Sequence, residues 1–268
     1  MTEPPHRYLL HDDATDEEVR RLMAIDELMG PITRQRVERV GIAPGWRCLE
    51  VGAGVGGVAR WMAERVGPAG QVTATDLTPL LAAAASLPQL EPRRHDILRR
   101  EGLERDHYDL VHCRLLLANV GDVARALEHM VGALRPGGWL VVEEPGESRV
   151  PGIGEGDERV AEFNRLFERF LAEVRARTRQ VDLELHRRLP SLLLAAGVVR
   201  LGGELTYPLV GAKGREALLG TLKALHPLLS GSDFATGGDH DRLAELCTDD
   251  TLITSGGATV CLWGQRAA

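Results

Sequence analysis

Apolar positions along the chain change period several times. Between residues 14 and 42, Val19, Leu22, Met23, Ile25 and Met29 recur at helical spacing, with Asp12, Asp13 or Thr15 placed to cap the start. Gly30-Pro31 predicts a break, followed by a second short helix over 32–40 that ends at Gly41. From residue 47 short apolar runs alternate with helical stretches. RCLEV, QVTATD, EPRRHDI, YDLVHC and WLVVEE read as strands. Helices are predicted from the glycine turn to Val66, over 78–86, and over 121–134, where Val123, Leu127, Met130 and Leu134 share a face and LRPGG supplies the stop. Such alternation predicts an α/β fold with a parallel sheet and right-handed crossovers.

The pattern changes after residue 150. PGIGEGD, at 151–157, reads as a loop. Over 158–178, Val160, Phe163, Leu166, Phe167, Phe170, Leu171 and Val174 form one helical stripe, read as packing rather than as a substrate box. A helix over 182–196, a strand at ELTYPLV, helices over 213–230 and 239–247, and a strand at TVCLWGQ complete the reading. The expected organisation is an N-terminal helical cap (1–42), a core made of 43–150 and 180–268, and two helical insertions (151–179 and 213–247) that roof a substrate site as a lid.

Composition narrows the function classes. A net charge of -7 argues against a nucleic-acid partner, which needs a basic surface. No apolar run approaches the roughly 20 residues that cross a bilayer, and the N-terminus has no signal-peptide pattern, so a cytoplasmic protein without a membrane partner is expected. Cys48, Cys113, Cys247 and Cys261 lack metal-binding spacing and are read as reduced, with no metal centre.

The candidate chemistry begins at CLEVGAGVGGVARW, residues 48–61: a strand, a glycine turn, then a helix. Gly52, Gly54 and Gly57 spell the GxGxxG of dinucleotide-binding turns; Glu50, Gly52, Gly54 and Gly56 spell ExGxGxG. The glycines alone fit either register. Asp76, at the end of the second strand, suits ribose hydroxyls in both classes. Three features favour the second register. Glu50 can order the loop or accept from a bound amine. Asp96 in RHDI offers an acceptor for an adenine amino group. Finally, about 45 residues of mostly helical chain precede the turn, whereas a dinucleotide enzyme more often begins with this strand.

Over roughly 30–200 the chain resembles the class I S-adenosylmethionine-dependent methyltransferases, in particular their bacterial small-molecule branch. LEVGAGVGGVARWMAERVGPAGQVTATDL, RRHDI, YDLVHCRLLL and ALRPGGWLVVEEP carry the resemblance. It implies a Rossmann-like seven-stranded, mostly parallel sheet with an antiparallel C-terminal hairpin, for which ELTYPLV and TVCLWGQ are the expected pair. It also implies S-adenosyl-L-methionine as cofactor. On that reading Gly52, Ala53, Gly54 and Gly56 cradle its amino-acid end, Asp76 holds the ribose, Leu77 flanks the adenine, and Asp96 with Ile97 holds the adenine edge. Cys113 and Arg114 lie near the methionine end, and Tyr8 belongs to an N-terminal segment that closes over the cofactor.

Methyl transfer is an in-line displacement at a sulfonium carbon, so alignment and exclusion of water matter most, and a base helps when the acceptor is a hydroxyl. Among His112, Glu144, His186 and His226, the first two end strands four and five and are the candidate catalytic residues. Glu143 and Glu144 alternate across the sheet, so at most one should enter a pocket. The expected reaction is O-, N- or C-methylation of a small, hydrophobic, natural-product-type molecule. Two alternatives remain open: a cyclase or other non-methylating enzyme that binds the same cofactor, and an NAD(P)-dependent oxidoreductase. HCRL stands where nucleic-acid amino-methyltransferases carry Asn/Asp-Pro-Pro-aromatic. A homodimer is compatible with the sequence.

Overall fold

The computed structural model describes residues 15–78, 80, 87–146, 152–178, 181–210, 212–255 and 257–268. In chain order the strands are β1 (Arg47–Val51), β2 (Gln71–Asp76), β3 (Leu90–Arg94), β4 (Tyr108–Arg114), β5 (Leu134–Pro145), β6 (Val198–Thr206), β7 (Leu209–Val210), β8 (Thr254–Ser255) and β9 (Thr259–Arg266). The helices are α1 (Asp16–Arg39), α2 (Gly57–Val66), α3 (Val123–Ala133), α4 (Glu158–Arg177), α5 (Leu189–Ala195), α6 (Ala212–Leu229), α7 (Asp233–Thr236) and α8 (Asp239–Thr248). The chain divides into two compact units: a sheet unit of 29–144, 184–204 and 260–268, and a helical unit of 1–28, 145–183 and 205–259.

The sheet unit holds seven strands in the order β3-β2-β1-β4-β5-β9-β6. β1 pairs in parallel with β2 and β4, β2 with β3, and β4 with β5. β9 enters between β5 and β6 and makes the antiparallel hairpin that completes this Rossmann-like fold. The order reverses between β1 and β4, and ligands of open α/β sheets bind outside the carboxyl ends of strands at such a point. The strands read as near-continuous apolar runs because both faces are covered: Cys48, Leu49, Val72, Leu110, Val111, Val141 and Val142 have no exposed surface. Val58, Ala59, Met62, Ala63 and Val66 of α2 pack into this core.

The helical unit has its own core. Val160, Phe163, Leu166, Phe167, Phe170, Leu171 and Val174 of α4 meet Leu222, Leu225 and Leu229 of α6, Phe234 of α7, and Leu243, Leu246 and Cys247 of α8. Phe163 stacks on Phe167 with centroids 6.0 Å apart, and Phe170 lies 6.1 Å from Phe234. The phenylalanine stripe is packing, as its spacing suggested. The insertions expected at 151–179 and 213–247 both fall in this unit. No helix of the described residues is long and apolar enough to cross a membrane.

Several boundaries differ from the sequence reading. α1 runs through Gly30-Pro31 without a break. Proline removes one helical hydrogen bond, but Thr33, Arg36, Val37 and Val40 form one buried face beyond it, and their packing holds the helix together. The hairpin strand is Val198–Thr206 rather than ELTYPLV. Pro208, which cannot donate to a ladder, separates it from Leu209–Val210, which pairs instead with Thr254–Ser255. Gly202 and Gly203 hid the true strand; they are small because a Cβ at either would run into Trp263 or Leu262. The helix expected over 182–196 shrinks to a 3-10 turn, Leu185–Arg187, and α5, with Pro190 in its first turn. β5 begins at Leu134, straight after α3, so LRPGG stops the helix and also opens the strand. The helix expected over 78–86 lies largely outside the described residues.

Candidate active site

The glycine turn leaves β1 and enters α2. Gly52, Gly54 and Gly56 all have left-handed backbones, with φ of 74°, 52° and 81°. Gly57 is the first residue of α2, and Gly56 occupies the N-cap position. The turn therefore needs glycine at the three positions of the ExGxGxG register, where an L side chain would be strained. The Gly52 and Ala53 N–H groups donate to the Thr75 carbonyl at 2.8 and 3.0 Å. Gly54 N–H donates to Asp76 Oδ2 at 2.9 Å, while Asp76 Oδ1 accepts from Thr78 N–H at 3.0 Å. Each Asp76 oxygen keeps a further lone pair. A Cβ on Gly52 would sit 3.1 Å from Leu116 Cδ1, so the turn packs closely against the segment after β4.

Leu77, next after β2, is half-buried. Asp96 Oδ1 accepts from Leu98 N–H at 2.9 Å and so caps its own turn, and Oδ2 lies 3.8 Å from Arg99 Nε. Ile97 is buried, and its carbonyl lies 2.7 Å from His129 Nδ1. Tyr8 lies outside the described residues.

The carboxyl ends of β1, β4 and β5 bring titratable side chains together. Glu50 and His112 are register partners, and His112 is opposite Val141, so Glu143 shares their face while Glu144 and Cys113 take the other. His112 Nδ1 lies 2.6 Å from Glu50 Oε2, and its Nε2 lies 3.1 Å from Glu143 Oε1. Each ring nitrogen faces a carboxylate, so both carry protons. Burial disfavours that charge, but Glu50 and Glu143 outweigh it and lift the His112 pKa to about 9. Burial likewise opposes ionisation of Glu143, yet His112 and Arg36 bring it down to about 2. Arg36, on α1, donates to Glu143 Oε2, and its Nε reaches Glu204 Oε1 at 2.8 Å. Arg39 closes the line on Glu204 Oε2 at 2.5 Å.

Glu144 faces the other way. Its carboxylate accepts from Leu116, Leu117 and Ala118 N–H at 3.0, 2.6 and 3.1 Å. Burial pushes its pKa up to about 7 against those three donors. It thereby cradles the segment after β4, which opens with Leu115 at φ 55°, a strained conformation for a leucine. Cys113 is fully buried, and burial holds its thiol well above the usual range. Arg114 reaches Thr33 Oγ1 with a 3.1 Å hydrogen bond. All four cysteines are free and buried.

Both catalytic candidates thus have full structural duties: His112 has no free lone pair, and Glu144 caps a turn. Arg36 and Glu204 escaped the sequence reading, and Glu143 entered it only as the neighbour that alternates with Glu144. An arginine on the apolar face of α1, between Thr33 and Val37, was the available signal for the first of them.

The methyltransferase-domain family matches residues 16–192, more than half of the chain. Methyltransferase str2 of Strobilurus tenacellus is 27% identical over 150 residues, covering 53% of this chain and 54% of that protein. The ubiquinone/menaquinone biosynthesis C-methyltransferase UbiE of Bordetella parapertussis is 30% identical over 113 residues, covering 40% of this chain and 44% of that protein. The chain spans about half the length of these curated relatives. Phosphoethanolamine N-methyltransferase 2 of Haemonchus contortus, solved with phosphomonomethylethanolamine and S-adenosylhomocysteine, shares the fold with a TM-score of 0.60 at 17% identity, over 97% of this chain and 60% of that one. The chain belongs to the methyltransferase-domain family and, with its seven-stranded sheet, to the class I S-adenosylmethionine-dependent methyltransferases.

Proposed function

We propose that the chain transfers the methyl group of S-adenosylmethionine to a small organic acceptor. The observation that carries this reading is the turn after β1. Left-handed glycines stand at all three positions of the ExGxGxG register, and Gly54 is bound to the carboxylate that ends β2. The residues fit the donor. Glu50 Oε1 accepts no hydrogen bond from any described residue and suits the donor's ammonium. Asp76 keeps lone pairs for the ribose hydroxyls, with Leu77 beside the adenine. Asp96 Oδ2 and Ile97 take the adenine edge; Gly52, Ala53, Gly54 and Gly56 line the amino-acid end; Cys113 and Arg114 lie toward the sulfur. Tyr8 is assigned to the segment that covers this end.

Bound there, the donor supplies a methyl group already activated by the sulfonium charge. The protein's own part is to hold Asp76 and the glycine turn fixed and to keep the loop after β4 in place through Glu144. His112 and Glu144 are assigned to positioning rather than to proton removal, because both His112 nitrogens are engaged by carboxylates and Glu144 holds the segment after β4 through three backbone N–H groups. The family resemblance and the small metabolites in the relatives' names support a small acceptor of the natural-product type. The phenylalanine stripe is spent on its own core, so other side chains set the acceptor's polarity.

Calorimetric titration tests the reading. The chain is expected to bind S-adenosylmethionine and S-adenosylhomocysteine and not NADPH, and to release S-adenosylhomocysteine with at least one member of a panel of phenols, quinols, amines and carboxylic acids. Binding of NADPH alone would return the turn to the dinucleotide register. Donor binding without S-adenosylhomocysteine release across the panel would favour a non-methylating enzyme.

A further inference from the structure

Six charged side chains of the sheet unit alternate in sign along one line: Glu50, His112, Glu143, Arg36, Glu204 and Arg39. They come from β1, β4, β5, α1 and β6. Arg36 is 1% exposed, and His112 and Glu143 have no exposed surface. Buried ion pairs of this kind add little stability over apolar packing, because desolvation offsets their attraction. The line therefore calls for another role.

Its inner end supplies one. Glu50 stands two residues before Gly52. One of its oxygens is held by His112 at 2.6 Å, and no described residue donates to the other. The Glu50 side chain is not wholly enclosed, with 4% of its surface exposed. A carboxylate clamped through one oxygen and open at the other is a preset acceptor for an ammonium group. Its direction is set by His112, that of His112 by Glu143, and that of Glu143 by Arg36.

We infer that His112, Glu143 and Arg36 are positioning residues for the amino-acid end of the methyl donor, holding the Glu50 carboxylate aimed at the donor's ammonium. The inference rests on the proposed methyl-donor reading. None of the three touches the reacting atoms. Arg36, on a helix outside the sheet, then governs donor affinity through a strand glutamate and a histidine. A ligand that lacks the amino-acid end should not sense it.

The test compares two ligands on the full chain by calorimetry. S-adenosylhomocysteine carries the amino-acid end; 5′-methylthioadenosine keeps the nucleoside and thioether without it. Arg36→Met and Glu143→Gln are expected to raise the Kd for S-adenosylhomocysteine by about tenfold or more and to leave that for 5′-methylthioadenosine within about threefold. Arg36→Lys, which keeps the charge and loses the fork, should recover part of the loss. If the buried variants do not fold, Glu204→Gln at the half-exposed outer end reads the same ratio, with a smaller shift of the same kind. Equal weakening of both ligands, or unchanged S-adenosylhomocysteine affinity in folded variants, overturns the inference alone. A wild-type chain that binds neither ligand overturns the methyl-donor reading and the inference with it.

Discussion

The Asp76 carboxylate accepts the backbone N–H of Gly54 at 2.9 Å, so the end of β2 fixes the crown of the turn that leaves β1. Asp76→Ala removes this brace and, on the proposed methyl-donor reading, a ribose acceptor with it. It is expected to weaken S-adenosylhomocysteine binding by about tenfold or more in a calorimetric titration. Gly57→Ala changes the first residue of a helix and should shift affinity by no more than about threefold. Gly56→Ala, at φ 81°, should also destabilise the fold, by about 1–2 kcal/mol. Equal losses at Asp76 and Gly57 would mean the dinucleotide register.

His112 predicts a pH dependence. Glu50 on β1 and Glu143 on β5 face its two nitrogens, and Arg36 on α1 backs Glu143, with Cys261 of β9 near the arginine. The folded pKa of about 9 exceeds the reference value of 6.5, so the folded state holds the proton more tightly. The resulting stability is complete below pH 6.5 and is lost as pH rises through 9. Denaturant unfolding of wild type minus His112→Gln should show this as a difference that shrinks by about 3 kcal/mol across the window. A flat difference would mean that the imidazole is neutral in the folded protein.

The helical unit should depend on its phenylalanines. Phe163 and Phe234 have no exposed surface. Truncating either to alanine leaves a large cavity and is expected to lower the unfolding free energy by about 3–5 kcal/mol, read by urea denaturation. A loss below about 1 kcal/mol would mean that the stripe is loosely packed.

Glycines in the β6–β9 hairpin are expected to be intolerant for steric reasons. A Cβ on Gly202 would lie 2.6 Å from Trp263 Nε1, and one on Gly264 would lie 2.4 Å from Val198 Cγ1. Gly202→Ala and Gly264→Ala should each lower stability by about 1–3 kcal/mol. Gly132→Ala is the contrast: nothing lies within 4 Å of its Cβ position in α3, so the helix should gain about 0.5–1 kcal/mol. Thermal melts of the three variants check the opposite signs.

What the sequence made legible follows from which signals are local. β1, β2 and β4 were readable because strands buried on both faces are continuous apolar runs, and the glycine register because Glu50 and Asp96 break the tie. The end of α1 was misread at Gly30-Pro31, since a local rule competes there with the buried face that continues through Thr33, Arg36, Val37 and Val40. β6 was misplaced because its glycines answer to Trp263 and Leu262, about 60 residues away in sequence. The duties of His112 and Glu144 were illegible for a related reason. Both stand at strand ends, where ligands bind, and only their partners show that His112 is held between two carboxylates and Glu144 by three backbone N–H groups.

The place of β9 has a consequence during synthesis. This strand, at residues 259–266, fills the gap between β5 and β6. Until it leaves the ribosome, β5 has a long apolar edge with no neighbour on that side. At about 5–20 residues per second, the stretch from Pro145 to Thr259 keeps that edge open for roughly 6–23 seconds. Open apolar edges invite pairing with other chains. The nascent protein is thus most prone to aggregate after β1 to β5 have been made and before β9 arrives, so translation speed and chaperone supply over that interval should set the soluble yield.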